Sequence, residues 1–192
     1  MENVVIFNDY ANVNRSFQQH GVSPDYRDLL KYLSEGRFLV EAHAYVPIDP
    51  RNPHVRDREI EQLWSDGYLV HSKMSAPAGD TYKCDFDVEI TLDLMRTAEI
   101  VRPAIIVLVS GDKDFIPVIL ELRQRGIRVE VAAFPGVNAA REVIMKASGF
   151  IDLEHYLVEP APTKELQNEN AQADENAEDF PLVSHDAPVW KP

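Results

Sequence analysis

The chain has 192 residues, 45% hydrophobic and 27% charged, with one cysteine and a formal net charge of −13 at pH 7. That suits a globular domain with a core able to sustain itself, while the lone Cys84 excludes an internal disulfide scaffold and a thiolate zinc cage. No apolar run approaches the roughly 20 residues of a membrane span. Met1 leads almost at once into Val4-Val5-Ile6-Phe7 with no basic leader, so a soluble, cytoplasmic protein with no membrane partner is expected.

Val4 to Phe7 predicts a buried strand, and Tyr26 to Leu33 repeats apolar residues at helical spacing. Phe38 to Val46 predicts a second strand, Val55 to Ser65 a charged helix, and Tyr68 to Val70 a short third strand. From Asp87 to Val101, Val88, Ile90, Leu92, Leu94 and Met95 alternate with polar positions as in an amphipathic helix; Ala104 to Val109 is a fully apolar strand. Phe115 to Arg125 predicts a helix stopped by Gly126, Ile127 to Phe134 a fifth strand, and Asn138 to Lys146 a last helix. Phe150 to Leu153 completes the pattern as a short edge strand.

From Glu159 onward the composition changes to Pro, Asn, Gln and Glu, with eight acids and two bases, which leaves the body at −7. Residues 159–192 read as an acidic, solvated tail following a domain of residues 1–158. Phe180-Pro-Leu-Val and Val189-Trp190 at its end are apolar enough to dock on this domain or on a protein partner, and the strand edges offer material for a homodimer. Alternating strands and helices imply right-handed crossovers and a three-layer α/β/α sandwich with a mainly parallel sheet of five or six strands. Ligands of such sheets sit beyond the carboxyl ends of the strands, where the winding reverses.

Carboxylates occupy three of those places. Asp9 follows the first strand in Phe7-Asn8-Asp9-Tyr10-Ala11-Asn12, and Asp112 and Asp114 follow the apolar strand in Val109-Ser110-Gly111-Asp112-Lys113-Asp114-Phe115. Asp87 opens the long helix before that strand. Each has an ordinary role open to it: Asp114 as an N-cap, Asp87 as a first-turn acid, Asp9 as a turn former. If the two strands are neighbours, however, the four acids share a pocket, and charges that close are tolerable mainly with a cation between them. Mg²⁺ or Mn²⁺, hard ions that prefer oxygen, are the natural occupants.

These residues, with Lys83 to Val88 running on to Leu92-Asp93, and Gly149-Phe150-Ile151-Asp152-Leu153, resemble the NYN domain in its LabA-like bacterial branch, over about residues 3 to 157. The Ser-Gly-Asp-x-Asp-Phe element is the most specific. NYN domains are similar to PIN domains and to FLAP-type nucleases, so the resemblance implies a PIN-like fold and a metal-dependent ribonuclease using Asp9, Asp87, Asp112 and Asp114 as catalytic metal ligands, with RNA as substrate. Asn12 and Ser110 match polar positions beside the metal. Asp93 matches a further acid of the motif, but six helical residues rotate it about 120° from Asp87, which favours a supporting or surface role. Two departures stand out: Phe-Asn-Asp-Tyr-Ala-Asn where an Asp-Gly-x-Asn pattern is common, and Lys83-Cys84 where Lys-Gly is common.

Such a site supports phosphodiester hydrolysis, one or two metal ions activating water and stabilising charge at phosphorus. Lys83 and Arg15 are the cations placed to meet phosphate, or else are ordinary surface cations. No RNA-reading motif, HExxH, GxSxG, Gly-rich dinucleotide fingerprint or P-loop is present. The net charge disfavours indiscriminate nucleic-acid binding, although bound metal reverses the sign locally. Two other functions stay open: a regulatory protein of the LabA type that controls gene expression by binding partners or RNA, and a Toprim-like or phosphatase-like phosphotransfer domain. The last is disfavoured by Asp9 where Toprim has Glu and by Ala11 where haloacid-dehalogenase phosphatases have Asp.

Overall fold

The structure is a computed structural model and describes residues 1–78 and 81–158, without the side chains of 77, 78 and 81–83. The tail expected at 159–192 and the side chain of Lys83 lie outside the described residues.

Six strands form one wholly parallel sheet: β1 (Asn3–Asp9), β2 (Phe38–Ile48), β3 (Leu69–Met74), β6 (Ile105–Val109), β7 (Arg128–Ala133) and β8 (Gly149–Asp152). β4 (Ala76–Ala78) and β5 (Thr81–Lys83) make a separate antiparallel pair. The order across the sheet is β3-β2-β1-β6-β7-β8, so the chain winds outward from β1 in one direction and then returns to its other side. The reversal falls between β1 and β6, whose residues pair from Val4 with Ile105 to Asn8 with Val109.

Both faces are covered because the central strands are apolar on both sides. Val4 and Ile6 of β1 join Val107 and Val109 of β6 under α1 (Tyr10–Gln19), α2 (Tyr26–Ser34) and α3 (Asp57–Ser65), which contribute Val13, Phe17, Leu29, Leu33 and Leu63. Val5, Phe7, Ile106 and Leu108 face the opposite layer of α4 (Asp87–Ile100), α5 (Ile116–Gln124) and α6 (Arg141–Lys146), filled by Ile90, Leu94, Ile119, Leu122 and Val143. Continuous apolar runs thus became interior strands and amphipathic ones became helices. α7 (Leu153–Val158) closes the described chain with Leu153 buried in the first layer.

The three-layer α/β sandwich is the architecture expected from the sequence, with six strands in the sheet. Three elements differ from expectation. α1 has no counterpart among the expected elements: of its ten residues, Tyr10, Val13, Ser16 and Phe17 are buried, and the rest of YANVNRSFQQ is too polar to advertise a helix. The β4–β5 hairpin carries no alternation because it pairs only with itself, and α7 is a single short helical segment of six residues. No helix among the described residues is long and apolar enough to cross a membrane.

Candidate functional site

Asp9 is the last residue of β1 and the N-cap of α1, its carboxylate accepting from the Asn12 backbone N–H at 3.3 Å. Ser110 is fully buried just past β6, the adjacent strand. Its hydroxyl donates to Asp9 Oδ2 at 3.1 Å and accepts from the Asp112 N–H at 3.3 Å. One hydroxyl therefore links the carboxylate at the end of β1 to the loop leaving β6. Burial pushes the Asp9 carboxyl up to about 6; the Asn12 and Ser110 hydrogen bonds oppose this, and the negative charges of Asp87 and Asp112 add to it.

Asp112 caps the 3₁₀ turn Lys113–Phe115, its Oδ1 accepting from the Asp114 N–H at 3.0 Å, and the buried Phe115 anchors that turn in the core. Asp87 is the first residue of α4, held by Phe86 and Ile90, which are 6% and 0% exposed. The consequence is that Asp87, Asp112 and Asp114 each present a carboxylate oxygen within 4.8 Å of the others.

Gly111 is glycine because nothing larger fits. A Cβ there would stand 2.1 Å from the Asn138 carbonyl oxygen and 2.6 Å from Ala139 Cα, and the Ala140 N–H donates to the Gly111 carbonyl at 3.1 Å. The loop after β7 thus lies directly against the loop after β6. Asn138 pins it: its side-chain oxygen accepts from the Phe134 N–H at 2.9 Å and its amide donates to Asn12 Oδ1. The sequence does not mark Asn138 for this role, because its contact with Asn12 spans 126 positions.

Of the residues singled out from the sequence, Asp87, Asp112 and Asp114 converge, and Asp9, Asn12 and Ser110 are tied to them by the hydrogen bonds above. Asp93 is elsewhere engaged: it accepts from the Tyr45 hydroxyl at 2.9 Å and pairs with Arg96 at 3.1 Å. Tyr45 lies level with Asp9 but on the neighbouring strand β2.

The donors at the cluster are all carboxylate oxygens, with no histidine or thiolate among them, and neither Asp112 nor Asp114 forms an ion pair among the described residues. That set fits a hard divalent cation such as Mg²⁺ or Mn²⁺ rather than a soft one.

The NYN domain family matches residues 3–154. The Low amplitude and bright protein LabA of Synechococcus elongatus is 30% identical over 157 residues, covering 78% of this chain and 83% of that protein. A crystal structure of a protein of unknown function from Vibrio parahaemolyticus superposes with a TM-score of 0.67 at 27% identity, covering 79% of this chain and 93% of that one. The chain belongs to the NYN domain family, within the PIN-like superfamily.

Proposed function

We propose that the protein is a metal-dependent ribonuclease-type phosphodiesterase whose metal is held by Asp9, Asp87, Asp112 and Asp114. The observation that carries this is the convergence of three carboxylate oxygens within 4.8 Å at the winding reversal of a parallel sheet, in a chain of the NYN family. Mg²⁺ or Mn²⁺ held by these carboxylates would offset their charge and supply Lewis-acid chemistry towards a phosphodiester. The protein's part is positional. Ser110 fixes the Asp9 carboxylate and the start of the Asp112 loop with one hydroxyl, and Asp112 fixes the turn that carries Asp114. Asn138 and Gly111 lock the loops of β6 and β7 together, so that the acids are ordered before any ligand arrives.

Cleavage of end-labelled single-stranded RNA at low salt in Mn²⁺ and Mg²⁺ tests this reading. Wild type should cleave in either metal and stop in chelator, and Asp112→Asn should lose at least about a hundredfold in rate, as expected when a metal ligand is neutralised. Metal binding without cleavage across varied RNAs would instead support a regulatory protein that keeps the site for binding, and absence of both would overturn the metal reading.

A further inference from the structure

A cleft of about 290 Å³ lies beside the acidic cluster, over the carboxyl end of β2, and among its lining residues are Ala11, Arg15, Pro47, Arg51, Arg56 and Cys84. Its floor is one face of α1, because Ala11, Asn14, Arg15 and Gln18 recur at helical spacing. Its position is fixed by the same elements that build the site. Ala11 lies in the first turn of the helix that Asp9 caps, Cys84 is three residues before Asp87, and Pro47 is two residues beyond Tyr45, which pairs with Asp9.

Three guanidiniums and one carboxylate, Asp49, line the cleft, and each guanidinium is set differently. Arg15 is exposed and forms no ion pair among the described residues. Arg51 is held in a fork on Asp49, with Nη2 to Oδ2 at 2.6 Å and Nε to Oδ1 at 2.9 Å. Arg56 packs over the Tyr10 ring at 5.2 Å and pairs with Glu59 at 3.3 Å. Fixed guanidiniums suit phosphate oxygens, which they meet in planar, two-pronged contacts. Asn14 and Gln18 are shared with a second, more apolar cleft of about 390 Å³ containing Val22, Pro24 and Tyr26, where Tyr26 stacks on Tyr10 at 5.7 Å.

We infer that this cleft binds the sugar-phosphate backbone of single-stranded RNA through Arg15, Arg51 and Arg56 and leads it to the carboxylates. Single-stranded RNA is the fitting ligand because only unpaired bases can turn into the adjoining apolar cleft while their phosphates stay on the arginines. This rests on the nuclease reading for its destination, but the binding itself is separable from cleavage.

The test is fluorescence anisotropy of a labelled single-stranded oligoribonucleotide with the full chain, in chelator and across a salt series. Wild type should bind, and Arg15→Glu/Arg51→Glu should bind at least about tenfold more weakly with the salt slope reduced by roughly two, about one for each phosphate no longer neutralised. Arg125→Glu, at the opposite rim just before β7, should change binding less than twofold, and thermal melting should confirm that all variants fold. Absence of wild-type binding, equal loss in Arg125→Glu, or equal affinity for an RNA duplex would each overturn the inference. RNA cleavage in Mg²⁺ that is untouched by the Arg15→Glu/Arg51→Glu change would overturn the cleft and leave the nuclease standing. Binding that depends on these arginines without any cleavage would uphold the cleft and remove the nuclease.

Discussion

Capping and metal ligation look like rival roles for Asp9 and Asp112 in the sequence, but the capping seen in the structure would leave each carboxylate held in place for a ligand. Asp9 caps α1 and Asp112 caps the turn that carries Asp114, so both side chains are already held in place by backbone N–H groups. Ser110 adds the cross-link between them. Ser110→Ala should therefore leave thermal stability within about 1 kcal/mol but weaken Mn²⁺ binding by roughly tenfold, measured by calorimetry. Asp93 is the converse case. Its carboxylate is engaged by Tyr45 and Arg96, so Asp93→Asn should leave both Mn²⁺ affinity and RNA cleavage within twofold of wild type; a tenfold loss would show that it belongs to the cluster. The convergence of Asp87, Asp112 and Asp114 was legible because each sits in a contiguous motif at a strand end or helix start, whereas Asp9 stands outside that group and reaches it through Ser110. Asn138 was not legible, because its importance depends on a contact with Asn12, 126 positions away in the sequence.

The loops after β6 and β7 act as one unit, and Gly111 is where they touch. Its backbone needs no left-handed conformation; the constraint is the 2.1 Å that a Cβ would leave to the Asn138 carbonyl oxygen. Gly111→Ala must move one loop off the other. The expected result is a loss of about 1 to 3 kcal/mol in urea unfolding, the cost of overpacking, together with a marked fall in Mn²⁺ affinity. A fully wild-type response would show that the loops are pliant. The same reasoning explains what the sequence hid among the elements. The strands and larger helices bury apolar faces and so announce themselves, whereas α1 exposes Arg15, Gln18 and Gln19 and half-buries Asn14, and those polar residues mask its helical pattern.

Across the sheet as a whole, a part-buried polar link joins segments that are not neighbours in the strand order. Arg37, just before β2, reaches Glu130 of β7 at 2.8 Å, while Arg128 holds the other Glu130 oxygen at 2.8 Å. Burial raises the Glu130 carboxyl, but the two arginine hydrogen bonds and charges outweigh it and hold it below the usual glutamate range. A depressed carboxylate stabilises the fold fully above its unfolded value, about 4.3, and the contribution fades as the pH falls through the folded value. Glu130→Gln should therefore cost about 2 kcal/mol in unfolding free energy at neutral pH, with the difference from wild type shrinking steadily below about pH 4. A constant difference down to acid pH would contradict the linkage. The three-layer architecture itself was readable from alternating apolar runs and helical periods. The strand order followed from the handedness of crossovers only once β1 and β6 were set side by side, a pairing between residues some hundred positions apart that no local pattern encodes.

The acidic cluster as a divalent-metal centre is what all of this converges on, and calorimetric titration of Mn²⁺ into the metal-free protein tests it most directly. The expected result is saturable binding by wild type that falls at least about tenfold in each of Asp87→Asn, Asp112→Asn and Asp114→Asn, with melting temperatures no lower than wild type. No binding by wild type, or binding unchanged in the three variants, would contradict it.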